Sequence, residues 1–356
     1  MATKSGTEGN DELNVSTWAA TWSVYGYGGN DTITISNLFI SSVIIDGGAG
    51  NDSIYVPMAQ NVSIHGGVGD DWIQLSGATS SGSRSIYGDA GDDVIIGSND
   101  AEYIYGGADD DEIHGYMGAD HLYGDGGNDI LVATVSYHAV FYDGGADFDT
   151  LSIRANSTYS QYDVNIAALS GIERIENTDP VKRAYLVGNG LNLDNIELVD
   201  IIGVKGNNGD NLLRSGLSHK NDVNGTPIIM TVEGLGGNDA LRGRANADRL
   251  DGGVGNDQLY GFGGDDTLIG GAGSDEFHFF PNEGTDTIED FTQGEDLIYI
   301  HMTGLYDIST MTTVVSTENS SNLIVNIGSV EFQIANGATL ALTASDFVLT
   351  EAVPVY

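Results

Sequence analysis

Apolar side chains along this chain stand one at a time, at a constant distance behind a glycine-rich turn. Aligning the turns on an acidic position gives 11, 31, 52, 71, 93, 102, 111, 120, 129 and 149, then 239, 248, 257, 266 and 275. Two residues beyond each of these fifteen stands Leu, Ile or Phe. One large apolar residue after every turn predicts a short strand that points a single side chain into a core shared by stacked coils. Alternating apolar positions persist over 168–175 and 195–204, which suits further strands. The apolar positions never merge into a run of about 18 residues, so no membrane-spanning helix is predicted.

Four turns share the full pattern G-G-x-G-x-D: Gly47 to Asp52, Gly66 to Asp71, Gly252 to Asp257 and Gly270 to Asp275. Glycines in such a turn permit positive φ and let backbone carbonyls converge, so that carbonyls and the Asp carboxylate surround a calcium ion with oxygens. The acidic positions are spaced by nine residues in two blocks, 93–129 and 239–275.

This pattern resembles the RTX family, the hemolysin-type calcium-binding nonapeptide proteins, whose repeat is G-G-x-G-x-D-x-U-x with U a large apolar residue. The resemblance implies an all-β fold, a parallel β-roll or β-solenoid with calcium-binding turns and a C-terminal β cap. It implies several Ca2+ ions as cofactor, with ligands at Asp11, Asp31, Asp52, Asp71, Asp93, Asp111, Asp120, Asp129, Asp149, Asp239, Asp248, Asp257, Asp266 and Asp275. Glu102 occupies the same position in its turn.

Before Asp93 the motif steps are 20, 21, 19 and 22 residues, about one motif per coil, whereas the nine-residue blocks place two in each 18-residue coil. The spacing therefore predicts a roll with calcium turns along one edge over 1–92 and a two-edged roll over 93–150. An irregular basic solenoid over 151–231 and a second two-edged roll over 232–276 follow. In the irregular stretch Gly206 to Asn211 is a degenerate turn with Asn at the ligand position and Leu213 two residues on, predicting weak metal binding. Residues 277–356, including Gly284 to Phe291, resemble the cap that follows RTX repeats in secreted proteases. Ser345 to Leu349 resembles the end of type I secretion signals, although seven residues follow it.

Composition sharpens this picture. With 12 Lys plus Arg against 52 Asp plus Glu, the net charge is 12 − 52 = −40, which excludes nucleic acid as a direct partner. About ten ions, on the order of one per stacked pair of motifs, would bring about +20 and halve that charge. Without metal, the acidic turns repel and the glycine-rich backbone gives up much entropy on folding, so the apo chain is expected to be largely unfolded. Cysteine is absent, and 1–14 has no basic stretch followed by an apolar core. Both suit the expected route, export by type I secretion machinery from a Gram-negative cell to the outside or the cell surface.

Nine of the twelve basic residues lie between Arg174 and Arg249. If Arg174, Lys182 and Arg183 converge in a groove, the middle segment would hold an acidic polysaccharide, and the solenoid itself would be a lyase or epimerase. If the cations are scattered and salt-bridged, they replace calcium where the motif is lost. Trp18, Trp22, Phe39 and Met58 fall near the edge opposite the motifs, lining a saccharide or peptide groove or plugging the end of the stack.

Motifs for catalysis do not occur. No His is followed by Glu, so H-E-x-x-H is missing, and neither a G-x-S-x-G elbow nor a Walker loop appears. Paired acids such as Asp70-Asp71 and Asp92-Asp93 are accounted for as turn residues. Asp179-Pro180 is one bond of the kind at which some RTX exoproteins process themselves. The role expected is structural, surface-associated or adhesive, with a calcium-dependent polysaccharide enzyme as the alternative.

Overall fold

A computed structural model describes residues 1–16, 20–36, 40–57, 59–77, 82–134, 138–154, 161–178, 183–188, 191, 193, 196–199, 201–206, 208–209, 211–214, 229–302, 311–315 and 321–351. The chain divides into two compact units, Met1–Lys182 and Arg183–Tyr356. Each is a parallel β-solenoid. Among the described residues no α-helix occurs, only two short 3-10 turns at Gly337–Thr339 and Ala344–Asp346, and no helix is long and apolar enough to cross a membrane.

In the first unit each coil contributes one strand to each of two sheets. One sheet runs from Ala2–Ser5 through Thr21–Gly28, Ile40–Ala49, Ala59–Val68, Arg84–Ala90, Tyr103–Ala108 and His121–Gly126 to Val140–Ala146 and Gln161–Ser170, every neighbour parallel. The other runs from Glu12–Val15 to Arg174–Asn177 with strands of three or four residues, such as Val94–Ile96 and Ser53–Val56. Short strands follow from the sequence, because a turn recurs before a longer strand can form.

Stacking places identical positions of successive coils in register. Ile54 pairs with Ile73, Ile73 with Ile95, Ile95 with Ile113, Ile113 with Leu131 and Leu131 with Leu151. These are the apolar residues two places after the motif acid, and each is fully buried. Ile64, Ile86, Ile104 and Leu122 form the facing row from the other sheet. Between the buried positions the side chains face outward, where His65, Tyr87, Tyr105 and Tyr123 stack with ring centroids 4.5, 5.0 and 4.7 Å apart.

The second unit repeats the scheme. One sheet runs in parallel from Arg183–Val187 through Ile201–Lys205, Met230–Glu233, Asp248–Val254 and Thr267–Ala272 to Thr285–Ile288. Val330–Ile334 extends it, and the antiparallel strands Leu323–Ile327 and Thr312–Val315 close it off. The other sheet runs from Leu212–Arg214 through Ala240–Arg242, Gln258–Tyr260, Glu276–Phe279 and Leu297–Met302 to Phe347–Glu351. The antiparallel hairpin is the C-terminal β cap, ending the coil-on-coil repeat with strands that do not offer another turn.

Because each core residue touches its counterparts above and below, a single truncation breaks two stacking contacts. Replacing Ile113 by Ala should cost about 2–5 kcal/mol of unfolding free energy. Denaturant titration in saturating calcium measures this; a loss below about 1 kcal/mol would contradict the shared-core arrangement.

Candidate metal centres in the stacked turns

The motif acid of each coil sits at the corner between turn and strand, with its backbone N–H pointing along the stack. In the first unit the N–H of Asp11 donates to Asp31 Oδ1, Asp31 to Asp52, Asp52 to Asp71 and Asp71 to Asp93, each at 2.7 Å. The row continues at 2.8 Å from Asp93 to Asp111, Asp111 to Asp129 and Asp129 to Asp149, and ends with Asp149 donating to Glu173 Oε2 at 2.9 Å. A separate row holds Glu102, whose N–H donates to Asp120 Oδ1 at 3.0 Å. The nine-residue block thus resolves into two rows whose members alternate along the chain. In the second unit one row runs Asn211, Asp239, Asp257, Asp275, Asp296; another runs Asp248, Asp266, Asp286.

One carboxylate oxygen is therefore spent on the ladder, and the second has no partner. Oδ2 of Asp31, Asp52, Asp71, Asp93, Asp111, Asp120, Asp129, Asp149, Asp257 and Asp266 is buried without a hydrogen bond. What it faces is another acceptor. A Cβ placed on Gly66 would lie 2.7 Å from the Gly88 carbonyl oxygen, and one on Gly106 2.8 Å from that of Gly124; each would also collide with the turn's own Asp Oδ2. Carboxylate and carbonyl oxygens thus converge over the first glycine of turns such as those at Gly26, Gly47, Gly66, Gly88, Gly106, Gly124 and Gly252. An ionised carboxylate and a buried carbonyl so placed repel unless a proton or a cation lies between them. All-oxygen donor sets suit a hard cation such as calcium. Among the described residues no three Asp, Glu or His side chains converge, so the remaining ligands would be backbone carbonyls, as the glycine-lined turn supplies.

Burial, reinforced by neighbouring carboxylates of the row, pushes these groups up. Asp52 rises to about 6, Asp71, Asp93, Asp149 and Asp257 to about 7, and Asp111 and Asp120 to about 8, from 3.8. The metal-free fold thus holds protons that the unfolded chain has already lost.

In thirteen turns the second and fourth motif residues both take left-handed backbone. Glycine does so without strain, but Tyr27, Asp89, Tyr116, Asp125, Leu235 and Phe262 hold the second position with φ between 63 and 79°. A non-glycine residue kept there costs about 1 kcal/mol or more.

Several members of the site were not foreseen. The residue before the motif acid forms an outer ladder running in the opposite sense: the N–H of Asn30 donates to Asn10 Oδ1, Asn51 to Asn30, Asp70 to Asn51, Asp92 to Asp70, Asp110 to Asp92 and Asn128 to Asp110, at 2.7–3.2 Å. Its signal was present, since that position holds Asn or Asp in each of these turns. Asp286 and Asp296 continue the rows in a stretch whose sequence resembles a cap; Asp286 keeps only the fourth-position Gly284, the acid and a buried Ile288 of the pattern. Asn211 sits where an Asp would, and its amide nitrogen donates to Asp239 Oδ1 at 2.8 Å and to the Gly209 carbonyl, replacing repulsion by hydrogen bonds.

The basic residues do not assemble into a described groove. Arg174 pairs with Glu176 at 3.0 Å, Lys205 approaches Glu233 at 3.9 Å and lies over the Tyr185 ring, and Arg249 pairs with Asp251 and Glu289. Lys182, the Arg183 side chain and Asp179-Pro180 lie outside the described residues. So do Trp18, Phe39 and Met58; Trp22 is half-buried within Thr21–Gly28.

Fold and site together define a parallel β-solenoid with carboxylate-lined turns. The profile of the RTX calcium-binding nonapeptide repeat (four copies) matches residues 43–56, 58–77, 82–101, 96–131, 231–259 and 243–277, and the chain carries such repeats in these regions. No curated protein matches. Among solved structures the chain is similar to the extracellular lipase LipA from Serratia marcescens, at 18% identity and TM-score 0.22 over 79% of this chain and 45% of that one, so it spans less than half of the lipase. It is also similar to a subunit of the Azotobacter vinelandii mannuronan C5-epimerase, at 22% identity and TM-score 0.23 over 41% of this chain and 76% of that one.

Two outcomes follow from the geometry. Between pH 3.8 and the raised values of about 6–8, the metal-free native state binds more protons than the unfolded chain, so its stability falls as pH rises through that window. In EDTA, far-UV circular dichroism should show more β-structure at pH 5 than at pH 8, and the opposite order would refute the burial argument. Gly106→Ala puts a methyl group between Asp111 and the Gly124 carbonyl and should remove at least one ion, counted by elemental analysis after desalting.

Proposed function

We propose that this chain is a secreted RTX protein that folds on meeting calcium outside the cell and then acts as a structural, surface-associated or adhesive element. The observation that supports this most directly is the row of buried, unpartnered Asp Oδ2 atoms facing carbonyl oxygens of the next coil. In this proposal Asp31, Asp52, Asp71, Asp93, Asp111, Asp120, Asp129, Asp149, Asp239, Asp257, Asp266 and Asp275 hold the ions; Asp11 and Asp248 occupy equivalent motif positions. Bound calcium supplies the positive charge and the oxygen coordination that these turns otherwise lack.

The residues account for a switch. At a net charge of −40 the metal-free chain repels itself, and its glycine-rich turns lose much backbone entropy on ordering. Extracellular calcium modules bind at about 10⁻⁴ to 10⁻³ M, far above cytosolic levels. An unfolded chain suits passage through type I secretion machinery of a Gram-negative envelope, and folding beyond it keeps the product outside. The ion pairs of Arg174, Lys205 and Arg249 suit cations that neutralise the framework, which favours the structural role over a polysaccharide-active groove.

Calcium titration of the purified chain, followed by far-UV circular dichroism, tests the switch. A cooperative rise of β-signal near millimolar calcium is expected, with none from magnesium, which demands tighter octahedral geometry. Full β-structure in EDTA at neutral pH would refute it.

A further inference from the structure

The acidic positions of the rows are not alike. At Asp11, Oδ2 accepts the Thr7 N–H at 2.6 Å and the Thr7 hydroxyl at 2.8 Å. Glu102 accepts the Ser98 N–H on Oε2 at 3.1 Å and the Ser98 hydroxyl on Oε1 at 2.5 Å. At Asp296, Oδ2 accepts the Thr292 N–H at 2.7 Å. In all three the donor is the second residue of the turn, four places before the acid, and in none is that residue left-handed. In thirteen other turns it is left-handed, as at Tyr27, Asp89 and Phe262, and no N–H from it reaches the carboxylate.

Glu102 has a further partner. Arg84, only 3% exposed, places a guanidinium nitrogen 2.7 Å from Asp100 Oδ2 and its Nε 3.9 Å from Glu102 Oε1. An ion at Glu102 would have to displace the Ser98 donors and lie against a buried cation. These three rungs lie at the ends of their rows. Asp11 and Glu102 begin their rows and Asp296 follows Asp275 at the far end of its own, so each has a ligand-bearing coil on one side only. An ion there would lack part of its oxygen shell.

We propose that the backbone hand at the second position sorts the turns: those at Asp11, Glu102 and Asp296 are closed by the protein's own donors and stay metal-free, with Arg84 serving as the counter-charge of Glu102. Calcium is confined to turns whose second residue is left-handed. Asp248, which also begins its row, falls under the same rule: Arg244 is not left-handed, and its N–H donates to Asp248 Oδ2 at 3.0 Å. The proposal rests on the calcium reading above and specifies which rungs carry it out.

The test is a crystal structure of the full chain loaded with terbium in place of calcium, with ions located by anomalous scattering. Peaks are expected beside Asp93 and Asp111 and none within about 3 Å of the carboxylates of Asp11, Glu102 or Asp296. A peak at any of those three overturns the proposal. In solution, Asp11→Asn and Asp296→Asn should keep the wild-type calcium count, whereas Asp93→Asn should lose at least one ion; equal loss from Asp11→Asn and Asp93→Asn overturns it. If Asp93→Asn fails to fold, the wild-type anomalous map decides alone. A wild-type chain that binds no calcium overturns the calcium reading itself and the sorting with it.

Discussion

A buried carboxylate oxygen facing a carbonyl oxygen of the next coil is the contact on which this structure turns. Elsewhere in a protein interior such a pair would be a defect, because each acceptor loses water and gains nothing. Here it recurs coil after coil, at Asp52, Asp71, Asp93, Asp111 and Asp129 among others. A repeated cost of this kind suits a cation between the oxygens, and all-oxygen surroundings suit a hard one. The same burial raises the acids toward neutral pKa values, which couples the fold to the protons these turns hold.

Around that contact two hydrogen-bond zippers hold the turns at constant pitch. In the inner one, each motif Asp accepts from the coil before it; in the outer one, each Asn or Asp one place earlier accepts from the coil after it. Opposed directions leave neither neighbour free to slide along the stack. The apolar row beneath, from Ile33 to Leu151, then needs no jigsaw of different shapes, since every coil presents the same kind of side chain to the next. Repulsion, zipper and core act on the same turns, which suits cooperative formation of many coils at once.

Much of this was legible in the chain itself. The apolar residue two places after each acid is buried in all fifteen cases, because a period that short leaves a strand only one or two inward positions. The outer ladder was equally readable, since Asn or Asp recurs at its position, but the glycines draw the eye first. Asp286 and Asp296 were harder. Pro281 and Phe291 replace the first glycine of their turns, and their place in the rows appears only when their coils stack on Asp266 and Asp275.

By itself the sequence determined the repeat, the strand after each turn, the oxygen-only chemistry and the need for counter-charge, since all of these follow from residue types at fixed intervals. Only the tertiary structure decided which oxygen of each carboxylate is used up by the ladder and which is left without a partner. That depends on the coil above or below, 18 or more residues away along the chain. The same holds for Arg84, which carries no mark of its role in sequence: folding buries it and brings it against Asp100 and Glu102. A local pattern records what each turn offers, while stacking settles what each turn still lacks.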